Sequence, residues 1–134
     1  MKLESNLYTV LEEEIDGWNA RFTIKLIGSS FIYQAHFPNE PITPGVCIIQ
    51  MGVELTDKLL AANGINGHAE IEKIKNVKFL SVLTPLDAEI VVYEMKKVYL
   101  SEDARQVKTQ IVVTFGGEVK AKISLVLGIS DGEC

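Results

Sequence analysis

Cysteine is scarce in this chain, and neither copy is placed for covalent or metal chemistry. Cys47 lies in an apolar run and Cys134 at the last position. Two such residues build neither a disulfide framework nor a zinc-ligand spacing, so a reducing cytoplasm is the simplest setting. Long apolar stretches are missing too. Nothing approaches the roughly 18 consecutive apolar residues of a membrane helix. The start, Met1-Lys2-Leu3-Glu4-Ser5-Asn6, has no apolar signal core and reads as mature protein. Positive charge is the minority, with 13 Lys and Arg against 18 Asp and Glu for a net −5. A general nucleic-acid binder would show a basic face instead. Repeats, low-complexity stretches and linkers are absent. The 134 residues, 47% of them hydrophobic, suit one domain spanning 1–134.

Proline is also rare, and its distribution is informative. Three of the four prolines, Pro38, Pro41 and Pro44, fall within seven positions of His36-Phe37-Pro38-Asn39-Glu40-Pro41-Ile42-Thr43-Pro44-Gly45-Val46. Proline fixes φ and pushes the residue before it toward extended geometry, so this loop is stiff. Thr43-Pro44 followed by the apolar run Val46-Cys47-Ile48-Ile49 is a helix-start signal, with Thr43 as N-cap. The first N–H groups of a helix lack intrahelical acceptors, and proline has no N–H. The expected free donors are those of Gly45, Val46 and Cys47. Gly45 has no side chain, so a ligand carbonyl can approach its backbone closely. Amides fixed around a carbonyl oxygen stabilise an enolate-like charge, and an imidazole suits removal of the adjacent proton. The motif asks for a carbonyl compound with an acidic α-proton.

The periodicity supplies the architecture. Ala20, Phe22, Ile24 and Leu26 alternate with Arg21, Thr23 and Lys25 as a half-buried strand. Residues 31–35 read as a short extended lead-in to His36. Residues 45–62 form the one long helix, apolar on most sides and closed by Asn63-Gly64. Val- and Ile-rich strands follow over 69–80, 86–99, 105–115 and 118–127, with Phe115-Gly116-Gly117-Glu118 as a hairpin signal. The first dozen residues, ending in Glu12-Glu13-Glu14, read as a strand or arm with a solvated acidic end, and the tail after Gly128 as loose. The result is an α+β protein, one long central helix wrapped by a curved antiparallel sheet.

The proline loop resembles the active-site stretch of the (3R)-hydroxyacyl-(acyl carrier protein) dehydratases of the FabZ/FabA type. These are hot-dog-fold enzymes with a His-Phe-Pro-Gly-x-Pro-x-Met-Pro-Gly-Val pattern. His36, Phe37, Pro38, Pro41, Pro44, Gly45 and Val46 match it, whereas Asn39 and Thr43 stand in place of its Gly and Met. Val77-Lys78-Phe79-Leu80 through Pro85-Leu86-Asp87 is similar to the family's Val-x-Phe…Pro-Gly-Asp strand and turn, with Leu86 replacing glycine. The resemblance runs from about residue 20 to 127 and weakens toward the amino terminus. It implies dehydration of a (3R)-hydroxyacyl thioester on acyl carrier protein to a trans-2-enoyl thioester. His36 takes the α-proton, and the substrate is bound by Gly45, Val46, Phe37 and Pro44.

One departure bears on mechanism. The family places its catalytic Glu or Asp fourteen positions after the histidine, where this chain has Gln50. The family's Glu-x-x-x-Gln is here Gln50-Met51-Gly52-Val53-Glu54, as if acid and amide were exchanged across one turn. Residues four apart lie on nearly one face, about 6 Å along the axis. Glu54, with Gln50 positioning a water, is therefore expected to protonate the departing hydroxyl. A second reading stands beside it: Lys58 lies four residues on, the favourable orientation for a Glu–Lys ion pair. Gln50 also fits lost activity, altered chemistry or a heteromeric partner that supplies the acid. Cys47 reads as a small buried hydrophobe, and His68, in a turn-rich stretch, as solvent-facing.

Elimination of water needs no metal and no redox cofactor, and the phosphopantetheine arm belongs to the substrate carrier. Lys73, Lys75 and Lys78 are candidates to meet that acidic carrier, or simply solvate a strand face. An open antiparallel sheet leaves edges, so a homodimer or larger assembly, a hexamer or heteromer included, is expected. The resemblance implies that His36 of one subunit faces the Gln50/Glu54 helix of the other. A hot-dog acyl thioesterase using Glu54, and a non-catalytic acyl-binding subunit of a heteromeric dehydratase, are the alternatives.

Overall fold

The computed structural model describes residues 2–35, 39–86 and 89–130. The chain runs β1 (Tyr8–Asp16), β2 (Asn19–Leu26), α1 (Phe31–Ala35), α2 (Gly45–Ala62), β3 (His68–Phe79), β4 (Ile90–Leu100), β5 (Gln106–Phe115) and β6 (Glu118–Ser130). The strands form a six-stranded sheet in the order β1-β2-β4-β5-β6-β3. Every neighbouring pair is antiparallel.

Strict alternation explains why the sheet has one buried face. Phe22 and Ile24 of β2, Val91 and Tyr93 of β4, Val107 and Ile111 of β5, and Ile123 and Leu125 of β6 all turn inward. They close on α2, which buries Met51, Val53, Leu55, Leu59 and Leu60. One apolar helix wrapped by a sheet is the hot-dog arrangement. Gly52 sets how closely the helix approaches β5: a Cβ there would lie 2.8 Å from Ile111 Cδ1. Tyr93 Oη donates to the Ile48 carbonyl at 2.8 Å and ties β4 to the helix. Gly116 and Gly117 both have positive φ, which the two-residue turn between β5 and β6 requires.

Several expectations are corrected. Residues 31–35 are helical, because Ser30 opens the turn: its carbonyl accepts from Tyr33 N–H and its Oγ from Ile32 N–H. Burial of Ile32 and Tyr33 then holds that turn. The fourth strand begins at Ile90 rather than 86, after the Pro85-Leu86 turn. The carboxy-terminal strand continues through Ser130, which pairs with His68, so 129–130 are not loose. At the other end Leu3 and Leu7 are fully buried, and residues 3–8 form a strap against α2. The acidic triplet of β1 is exposed, as its charge requires.

Candidate active site

The site is built around the head of α2. Pro44 takes extended geometry (φ −60°, ψ 143°) as the residue before the helix, with no side-chain cap. Thr43, expected to cap, is used elsewhere. Its N–H donates to the Leu83 carbonyl (2.8 Å), and its buried hydroxyl pairs with Tyr33 Oη (2.8 Å). These two bonds pin the loop to α1 and to the segment after β3.

The Pro44 carbonyl accepts from Cys47 N–H at 2.9 Å and Ile48 N–H at 3.1 Å. Cys47 is thus removed from the expected set of free donors, and among the described residues no acceptor meets the Gly45 or Val46 N–H. The Cys47 side chain is buried, and burial pushes its thiol pKa up, away from nucleophile chemistry. Phe79 lies across Gly45: a Cβ there would meet its Cζ at 2.8 Å and Cε2 at 2.9 Å. A cavity of about 400 Å³ opens beside this contact, walled by Ile42, Ile48, Phe79, Val82 and Leu83. Gly45 thus borders an apolar space, which suits a carbonyl with an attached hydrocarbon chain.

Gln50 and Glu54 occupy the opposite flank of the helix, since Ile48 and Gln50 are about 200° apart at 100° per residue. A second cavity of about 490 Å³ lies there, lined by Gln50, Glu54, Asp57, Lys58, Glu4 and His68 among others. Glu54 is buried, and its carboxylate is filled by donors. Oε2 accepts from Leu3 N–H (2.7 Å) and Gln50 Nε2 (3.2 Å). Oε1 accepts from Glu4 N–H (2.9 Å) and Tyr8 Oη (2.9 Å). Burial, then the Glu54 charge and hydrogen bond, push the Tyr8 hydroxyl pKa far up. A carboxylate engaged by four donors is an anchor for its neighbours. The Glu54–Lys58 pair is not formed either: Lys58 reaches Glu4 at 3.2 Å, because the strap brings Glu4 over it.

Asp57 Oδ1 accepts from Ala69 N–H at 2.7 Å, and its Oδ2 lies 4.0 Å from His68 Nδ1. Burial raises the Asp57 pKa, partly offset by that N–H and by His68. His68 is largely exposed, at the rim of the cavity. Reading the sequence missed Tyr8, Glu4 and Leu3 as partners of the site, and no local pattern marks them. His36, Phe37 and Pro38 lie outside the described residues, as does Cys134. Among the described residues no group of three or more His, Cys, Asp or Glu is placed to hold a metal ion. No described helix is long and apolar enough to cross a membrane.

One apolar helix wrapped by an antiparallel sheet, with an apolar cavity at its head and a polar flank behind, defines a hot-dog protein. The chain belongs to the ApeI-like family, described as ApeI dehydratase, which matches residues 12–114. It is 31% identical over 120 residues to 3-hydroxyacyl-(acyl-carrier-protein) dehydratase FabZ of Thermotoga petrophila, covering 90% of this chain and 82% of the relative. The FabZ of Thermotoga neapolitana is 32% identical over the same shares. Among solved structures, the dehydratase heterocomplex ApeI:P from Xenorhabdus doucetiae has a TM-score of 0.64 at 18% identity, covering 89% of this chain and 96% of that one. A hypothetical thioesterase with coenzyme A from Streptococcus pneumoniae has a TM-score of 0.67 at 10% identity, covering 97% and 92%. These structural likenesses establish the hot-dog fold.

Proposed function

We propose that this protein removes water from (3R)-hydroxyacyl thioesters carried on acyl carrier protein and leaves trans-2-enoyl thioesters. The observation that carries the reading is the head of α2. There Gly45 lines an apolar cavity, and among the described residues no acceptor meets the Gly45 or Val46 N–H, in the segment that follows His36 in the sequence. The amides receive the thioester oxygen as enolate charge develops on it. His36 takes the α-proton, a task that suits an imidazole. Gln50 holds the β-hydroxyl, and Glu54 holds Gln50. The proton taken by His36 returns to the hydroxyl: the α C–H and β C–O bonds break, a C=C bond forms and water leaves. Phe37 and Pro44 are the remaining proposed substrate-binding residues of that loop. The phosphopantetheine arm arrives with the carrier, and elimination requires no further cofactor.

The reading includes a homodimer in the cytoplasm. In one chain the amide flank and the Gln50 flank of α2 face apart, so a complete site takes its loop from one subunit and Gln50 from the other. The edge strand β3 supports this, with Ile71, Ile74 and Phe79 all more than 40% exposed. Lys73, Lys75 and Lys78, exposed on β3, are the proposed contacts for the acidic carrier. The amide at position 50 also favours a second reading, a subunit whose partner supplies the acid.

Purified protein incubated with a 3-hydroxyacyl carrier thioester tests both. Enoyl product that falls by about 100- to 10,000-fold in His36→Ala supports dehydration by this chain. Free thiol release instead indicates a thioesterase, and binding without turnover indicates the heteromeric subunit.

A further inference from the structure

Gln50 is the residue at which this chain departs from acid catalysis, and its orientation follows from its neighbour. A carboxylate only accepts hydrogen bonds, whereas a primary amide has one donating and one accepting end. Glu54 Oε2 stands 3.2 Å from the Gln50 side chain, so the NH2 must be the end that faces it. Glu54 itself has no freedom to turn away. Leu3 N–H and Glu4 N–H hold it from the strap at 2.7 and 2.9 Å, and Tyr8 Oη holds it from β1 at 2.9 Å. Three backbone and phenol donors therefore fix the carboxylate, and the carboxylate fixes the amide. Gln50 is half-buried and lines the 490 Å³ cavity, and among the described residues no donor meets its Oε1.

We propose that Glu54 is a positioning residue that locks the Gln50 amide with its carbonyl oxygen toward the cavity, making position 50 an acceptor that selects a substrate carrying a β-hydroxyl donor. This rests on the dehydratase reading and adds a specificity to it. A 3-hydroxyacyl group donates its O–H to Oε1. A 3-oxoacyl group of nearly the same size presents only an acceptor there, so two oxygens meet with no hydrogen between them. The site therefore discriminates the alcohol from the ketone before any bond is broken. Loss of the Glu54 carboxylate frees the amide to flip, and with NH2 toward the cavity the preference for the alcohol disappears.

The test uses non-hydrolysable pantetheine amides of a 3-hydroxyacyl and a 3-oxoacyl chain, titrated by calorimetry into the full-length protein. Wild type is expected to bind the hydroxyl analogue about tenfold more tightly, the scale of one neutral hydrogen bond made or lost. Glu54→Gln is expected to bring the ratio close to one, because an amide at 54 offers its own NH2 to Gln50. General loosening of the fold would weaken both analogues alike and leave the ratio unchanged. Gln50→Met, which keeps the strap bonds of Glu54, serves if Glu54→Gln does not fold, and it too should lose the ratio. A wild-type ratio near one, or a ratio of ten that survives in Gln50→Met, overturns the inference while binding itself leaves the dehydratase reading standing. Wild-type protein that binds neither analogue overturns both.

Discussion

The Gln50 amide nitrogen donates to Glu54 Oε2 at 3.2 Å, one helical turn away, so the carboxylate is paired with an amide at the edge of the cavity that both residues line. The pair links the reactive flank of α2 to a strap formed some fifty residues earlier in the chain. A function for Gln50 and a stability role for Glu54 follow from the same contact.

Removing the carboxylate leaves Leu3 N–H, Glu4 N–H and Tyr8 Oη without their acceptor. Two of these bonds are buried, and an unsatisfied buried donor costs about 1–3 kcal/mol. Glu54→Ala is expected to lower the unfolding free energy by about 3 kcal/mol in urea titration. Tyr8→Phe, which deletes one donor along with its need, is expected to cost about 1 kcal/mol.

Gln50→Glu places two carboxylates one turn apart. Like charges at that distance raise the pKa of one of them, which produces a protonated acid at neutral pH. Turnover is expected to rise about 100-fold, at the low end of what a positioned acid contributes. That gain should fade as pH rises and the shared proton is lost. A pH–rate profile of the variant beside wild type reads both effects.

Asp57 is a case where burial works against charge. Its pKa is raised above the ordinary 3.8, first by burial. A raised folded-state value means the native protein binds this proton more tightly than the unfolded chain does. The stability from that proton is present below 3.8 and is lost as pH rises through the folded value. In Asp57→Asn the Oδ1 still accepts from Ala69, and the penalty is gone. Unfolding free energy followed from about pH 4 to about pH 7 is expected to decline more in wild type than in the variant.

Gly45→Ala drives a Cβ into the Phe79 ring, whose nearest atom would lie 2.8 Å away. Phe79 is half exposed, and the clash pushes the Gly45 backbone and the ring apart. The expected result is a loss of about tenfold or more in kcat/KM with native-like unfolding, since the donors are shifted and not removed. Kinetics and melting measured on one preparation separate the two.

An Ile74→Glu change on β3 buries a charge in the proposed subunit contact. It is expected to convert the dimer to monomer in sedimentation and to abolish turnover, without unfolding a chain in which Ile74 is 48% exposed.

Much of this was legible in the sequence because the signals were local. The Pro-Gly start and Asn63-Gly64 stop mark α2 at its observed bounds. The alternation of residues 20–26 and the two glycines after Phe115 mark β2 and the β5–β6 turn. Several failures are tertiary. Phe31-Ile32-Tyr33 has strand-like composition, and only the Ser30 turn and the burial of Tyr33 make it helical. Thr43 has the chemistry of a cap but pairs with Tyr33. The hold of Glu54 on Leu3 spans 51 positions, and no periodicity announces it.

The most direct test of the account is stereospecific product formation by the purified protein alone. (3R)- and (3S)-hydroxyacyl carrier thioesters are incubated separately, and the acyl products are identified by mass and ultraviolet absorbance. The account predicts trans-2-enoyl thioester from the (3R) substrate and none from the (3S). A well-folded dimer that yields no enoyl product from either would contradict it.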